Sequence, residues 1–173
     1  MSESDQTTPN ELEGDLQVNG ARIAMVVSRF NDYLTSHMQD EAERMYKRLG
    51  GVADNLTVAH VPGSFELSVT AKRLAETGNY DAVVCLGCII RGETDHYEHI
   101  CEQTAEGIRQ VGTQTGVPCI FGVVTADTLE QAINRAGGKM GNQGATAMSA
   151  AVEMANLLRK VRDSSADPRT TQA

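Results

Sequence analysis

The stretch Ala82–Ile90, AVVCLGCII, carries no charge and nothing more polar than cysteine. A run of that length, rich in Val, Ile and Cys, reads as a strand buried on both faces, the kind found in a parallel sheet. It breaks at Arg91-Gly92, and Thr94 or Asp95 then stands ready to cap a helix that begins near His96. A strand, a short glycine turn and a helix start make a frequent small-molecule site. The helix N-terminus offers free N–H groups and a partial positive charge, which suit a phosphate or a carboxylate. His96 falls in the first turn, and histidine is the side-chain type that titrates near neutrality.

The rest of the chain repeats this strand-then-helix pattern. Arg22–Ser28 is the first strand, and Asn31 or Asp32 caps a helix with Leu34, Met38, Ala42, Met45 and Leu49 on one face. Leu56–Val61 is the second strand, broken by Pro62-Gly63-Ser64. Leu67, Ala71, Leu74 and Ala75 form the inner face of its helix, which stops at Gly78. After the third strand, Tyr97, Ile100, Cys101, Thr104, Ile108 and Val111 give the following helix its apolar side. Cys119–Thr125 is the fourth strand, and Thr128 with Gln131 makes a capping box for a short helix through Ala136. A glycine-rich break, Gly137–Asn142, precedes a last helix marked by Ala145, Met148, Val152 and Ala155.

This order predicts a three-layer α/β/α sandwich around a four-stranded parallel sheet. The simplest right-handed arrangement is flavodoxin-like, with strand order 2-1-3-4. Residues 1–20 read as a flexible polar extension, 21–162 as one domain and 163–173 as a flexible tail. Ligands in such sheets sit outside the carboxyl ends of the strands. That places Phe30-Asn31, Gly63–Glu66, Ile89–His96 and Phe121–Thr125 around one crevice.

Composition narrows the classes. Hydrophobic residues make up 40% of the chain but aromatics only 4%, and tryptophan is absent, so the core must be aliphatic. A net charge of -8 argues against a nonspecific nucleic-acid surface. No apolar run is long enough for a membrane span, and the acidic first residues do not read as a signal peptide. Cys85 and Cys88 are three apart on a strand, so they point to opposite faces and should share neither a metal nor a disulfide. Four reduced, structural cysteines fit a cytoplasmic protein.

Several residues can carry chemistry, each with a plainer alternative. His96 suits proton transfer, or is simply a solvated histidine at a helix start. His99, three residues on, raises a two-histidine metal site, but no acidic ligand stands at a recognised spacing, so no metal is expected. Phe30 and Phe65 follow strand ends and Phe121 lies within a strand; each stacks on a planar ring or packs in the core. Glu66 accepts hydrogen bonds from hydroxyls or merely faces a helix dipole. Arg135 and Lys139 flank a double glycine and clamp a phosphate, or only complement a helix C-terminus.

Five separated blocks, in order, resemble the lumazine synthase family over about residues 21–161. They are Ser28–Asn31, Val61–Leu67, Gly87 through Ile90–His96, Phe121–Val123, and Glu130–Ile133 through Arg135–Gly137 to Lys139–Asn142. The resemblance implies condensation of 5-amino-6-(D-ribitylamino)uracil with 3,4-dihydroxy-2-butanone 4-phosphate. The product is 6,7-dimethyl-8-ribityllumazine, with phosphate and water released and no cofactor needed. Carried over by motif, Phe30 stacks on the pyrimidine, Ser64, Phe65 and Glu66 hold the ribityl chain, and Cys88, Ile89 and Ile90 line the ring site. Glu93 and Thr94, through backbone groups, and Arg135 bind the phosphate, with Lys139 in support; His96 moves protons; Phe121 completes the pocket across a subunit boundary.

The same resemblance implies a homo-pentamer, a possible 60-subunit shell, association with riboflavin synthase, and an N-terminal strand near Leu16–Val18 added to a neighbour's sheet. The chain departs from the family pattern at Ser64, where Ala is usual, at Ser68, where Pro is common, and at Gln143, where Lys is frequent. Glu93 should turn away from the phosphate, since its carboxylate would repel it. The rival readings are an archaeal-type riboflavin synthase, a non-catalytic shell or flavin carrier, and a flavodoxin-like binding module.

Overall fold

The computed structural model describes residues 9–165. The four strands are β1 (Ile23–Ser28), β2 (Leu56–Val61), β3 (Ala82–Ile90) and β4 (Cys119–Ala126). They form one all-parallel sheet in the order β2-β1-β3-β4. The helices are α1 (Asp32–Arg48), α2 (Leu67–Glu76), α3 (His96–Thr115), α4 (Leu129–Arg135) and α5 (Gln143–Ser165). Single turns of tighter helix at Ala53–Asn55 and Ser64–Glu66 bracket β2.

Period-two alternation splits the core into two layers. Ile23, Met25 and Val27 of β1 and Val84, Leu86 and Cys88 of β3 face one way, against Met38 and Ala42 of α1 and Met148 and Val152 of α5. Ala24, Val26, Val83, Cys85 and Ile89 face the other way, against Leu67 and Ala71 of α2 and Ile108 and Val111 of α3. Cys85 and Cys88 therefore lie on opposite faces, as their spacing requires. Cys85 instead approaches Cys119 of β4, with the sulfurs 3.8 Å apart. The α1–α5 contact is close enough that a Cβ at Gly144 would strike the Met38 carbonyl. Among the described residues no helix is long and apolar enough to cross a membrane.

Three details differ from the sequence expectation. Helix α5 runs to Ser165, three residues past the expected boundary at 162, because Val161 and its neighbours continue the helix without a breaker. Part of the expected N-terminal extension is fixed. The Asn156 amide donates to Asp15 O (2.9 Å) and Gln17 O (2.6 Å), Lys160 Nζ donates to Glu13 O (2.8 Å), and Val18 is buried in this chain's own core. Residues 16–18 form no strand within the chain. Finally, neither Asn31 nor Asp95 caps its helix through its side chain. Thr128 does cap α4, accepting from Gln131 N at 3.2 Å. Residues 1–8 and 166–173, the outer parts of the expected extension and tail, lie outside the described residues.

Candidate active site

The carboxyl ends of β1, β2 and β3 converge on a cleft of about 590 Å³ on the α2–α3 side of the sheet. Phe30 stands at its mouth just after β1, and Pro62–Glu66 form the wall that follows β2. Cys88, Ile89 and Ile90 make the floor at the end of β3, and Gly92, Thr94, His96, Tyr97 and Ile100 close the far side.

The wall comes close to the floor because β3 has a glycine there. A Cβ at Gly87 would meet Ser64 Oγ at 2.6 Å and Leu67 Cδ1 at 3.2 Å. The Ser64 hydroxyl thus sits directly over Gly87, and Ser64 is buried. The other edge is fixed by Asn31, which adopts a left-handed backbone (φ 60°) and donates from its amide to Cys88 O at 2.9 Å. Thr35 Oγ1 adds a bond to Ser28 O at 2.7 Å. Side-chain-to-backbone bonds of this kind compete with ordinary capping. Here they fasten the turn that carries Phe30 to the strand that carries the floor.

All three phenylalanines project into solvent: Phe30 is 69% exposed, Phe65 56% and Phe121 38%. Core packing is therefore not their role, and large exposed apolar side chains around a concavity mark a binding site. Two of them flank this cleft. The Cys88 thiol, turned to the α1–α5 layer, is pushed up to about 11 by burial and stays neutral. Burial also raises the Tyr97 phenol, which keeps its proton. His96 and Glu66 are the titratable side chains at the rim that remain open to solvent.

Not every expected residue reaches this cleft. Phe121 and Arg135 line a separate recess of about 250 Å³ on the β4 edge, together with Val123–Thr125 and Gln143. The expectation of one crevice is corrected on this point. β4 is an outer strand, and Arg135 ends α4 beside it, so both residues lie along that edge rather than at the mouth between β1 and β3. Lys139 lines neither space, being carried on the exposed glycine-rich break. Glu93 is exposed and outside the cleft lining, while its neighbours Gly92 and Thr94 are in it. His96 lines the cleft and His99 does not. Among the described residues no three His, Cys, Asp or Glu side chains gather as a metal site.

A family model described as 6,7-dimethyl-8-ribityllumazine synthase matches residues 20–159. The chain belongs to that family. Lumazine synthases are transferases of riboflavin biosynthesis, and the match covers the cleft, the β4 recess and the helices that join them. A carrier, a riboflavin synthase paralogue and a generic flavodoxin-like module are not favoured. The lining combines two exposed phenylalanines, the Glu66 carboxylate and the His96 imidazole.

Sequence reasoning missed Tyr97 and Ile100 as lining residues, having assigned both to the buried face of α3. It also missed the Asn31 and Arg91 side-chain bonds that hold the loops. The signal for Tyr97 was its place next to His96 in the first turn of α3, at the carboxyl edge of the sheet. Asn31 left none, because Cys88 is 57 residues away, and neither did the Arg91 bond to Asp127, 36 residues on.

Proposed function

We propose that the cleft beside His96 is where 5-amino-6-(D-ribitylamino)uracil meets 3,4-dihydroxy-2-butanone 4-phosphate. The arylamine condenses with the ketone to give an imine and one water, phosphate is eliminated, and the second amine closes the ring on the remaining carbonyl with loss of a second water, giving 6,7-dimethyl-8-ribityllumazine. Phe30 stacks on the pyrimidine, and Ser64, Phe65 and Glu66 hold the ribityl chain. Cys88, Ile89 and Ile90 pack against the ring. His96 accepts and returns the protons that move during imine formation and elimination. Backbone groups at Glu93 and Thr94, where α3 begins without a side-chain cap, meet the phosphate.

The observation that carries this reading is the exposure of Phe30 and Phe65 on either side of a cleft whose imidazole is His96. Holding two reactants in register accounts for a large share of such a rate, on the order of 7–11 kcal/mol for a well-oriented pair.

Phe121, Arg135 and Lys139 act, in this reading, on the cleft of a neighbouring subunit. Their separation from the cleft of their own chain supports a homo-pentamer with composite sites. Further assembly into a 60-subunit shell fits the short break at Gly138–Asn142, and a cytoplasmic location and association with riboflavin synthase follow the family pattern.

The test is to mix purified protein with both substrates, without added metal or redox cofactor, and follow lumazine fluorescence. Growth above the spontaneous rate is expected. His96→Ala should lower kcat about 10²–10³-fold with KM little changed, as for loss of a general acid–base group. Arg135→Ala should instead raise KM for the phosphate substrate. A His96→Ala protein with wild-type single-turnover rate would remove the proton-transfer assignment.

A further inference from the structure

We propose that Arg91 is a positioning residue for the cleft, acting through Tyr97 and the first turn of α3, and that it couples the cleft to the β4–α4 edge. This rests on the His96 cleft being the place of reaction. Arg91 does not itself line that cleft. It follows β3 directly, and its backbone N–H donates to Ala126 O at 2.9 Å, adding one rung beyond the β3–β4 pairing.

Its guanidinium then reaches three places at once. Nε donates to Asp127 Oδ1 at 2.7 Å, at the end of β4. Another guanidinium nitrogen donates to Glu98 Oε1, in the first turn of α3. The guanidinium carbon lies 4.2 Å from the centroid of the Tyr97 ring. Tyr97 lines the cleft one residue from His96. Asp127 continues the chain of contacts, since its backbone N–H donates to Gln131 Oε1 at 2.9 Å in the first turn of α4. That helix ends at Arg135.

The energetic value of these contacts as stabilisation is small. The Arg91, Glu98 and Asp127 side chains are 43%, 51% and 63% exposed, and exposed ion pairs contribute little to folding. Their value is geometric. A planar, forked cation meets two carboxylates on different elements while its face covers an aromatic ring, a combination a lysine ammonium cannot reproduce. Two carboxylates also offset its charge, so Arg91 is not a free phosphate anchor.

The test compares steady-state kinetics of Arg91→Gln, Arg91→Lys and Asp127→Asn with wild type. Arg109→Gln serves as a control, because Arg109 makes two bonds to Glu106 further along α3 (2.9 and 2.7 Å) but lies away from the cleft. A displacement of the His96 wall should lower kcat of Arg91→Gln about tenfold while KM for the ribitylamino substrate stays within about twofold. Arg91→Lys should recover only part of the loss. Arg91→Gln combined with Asp127→Asn should cost less than the product of the two single effects.

Wild-type kcat in Arg91→Gln, a loss no larger than in Arg109→Gln, or full rescue by Arg91→Lys would overturn the proposal. If Arg91→Gln fails to fold by circular dichroism, Asp127→Asn carries the test, and a wild-type kcat there overturns it. Phe30→Ala and His96→Ala report on the site itself. If both are fully active the cleft reading fails and takes the clasp with it. If both are impaired and Arg91→Gln is not, only the clasp fails.

Discussion

At the residue scale, environment decides which polar groups do chemistry and which stay silent. Cys88 forms part of the cleft floor, yet burial pushes its thiol up to about 11. Cys85 is raised well above its ordinary value, first by its contact with Cys119 and then by burial. Both are neutral throughout the physiological range, so neither rivals the imidazole of His96 that the proposed function uses for proton transfer. The same shifts have a consequence for stability. A native thiol whose pKa is raised above its unfolded value favours folding fully at pH below the unfolded pKa and loses that contribution as pH rises. The unfolding free energy should therefore fall between about pH 9 and pH 11. Denaturant titrations across that window should show a shallower decline for Cys88→Ala than for wild type. An identical slope would mean the buried thiol does not stay protonated. Exposure is equally decisive for Phe30, Phe65 and Phe121, because a chain with so few aromatics places none of its phenylalanines in the core.

At the scale of elements, the strands were legible and their fastenings were not. β3 was readable from Ala82 to Ile90 because a doubly buried strand must be apolar at every position. The alternate facing of Cys85 and Cys88 followed from the pleat alone. Right-handed crossovers left few strand orders, and the simplest of them, 2-1-3-4, is the one observed. By contrast, the Asn31–Cys88 bond and the Asn156 clamp on Asp15 and Gln17 join residues far apart in sequence, where no local pattern reports them. The division of the expected crevice into a cleft and a β4 recess was hidden for a related reason. Order along the chain places a loop at the carboxyl edge but does not say which way an outer strand turns its side chains. The glycines show the same contrast. Gly144 reads as an ordinary helix-start glycine, yet the backbone of α1 at Met38 occupies the space its Cβ would need. Gly144→Ala should lower stability by about 1–3 kcal/mol, as overpacking does, and leave KM for both substrates unchanged. A lowered melting temperature with normal kinetics would place that contact in the fold alone. An undiminished melting temperature would show that α1 and α5 separate easily.

At the scale of the whole molecule, one chain carries a cleft and a separate recess, which the proposed function reads as two halves of one site. The cleft holds the aromatic and imidazole groups, and the β4 recess holds Phe121 and Arg135. Family membership sets the reaction, and among the described residues the cleft lining holds no lysine or arginine. A ring of identical subunits joined head to tail would bring each recess to the next cleft, with the same contact repeated around the axis. Arg91, tying β3, α3 and the β4–α4 turn together, would then keep both half-sites of one subunit in register. The most direct measurement of the composite site is complementation by mixing. His96→Ala and Arg135→Ala subunits are unfolded together in equal amounts, reassembled, and assayed at a low concentration of the phosphate substrate. With random placement in a ring, about a quarter of the sites pair an intact cleft with an intact recess, so recovery to about a quarter of wild-type activity is expected. Activity that stays at the average of the two separate variants would contradict a site shared between subunits.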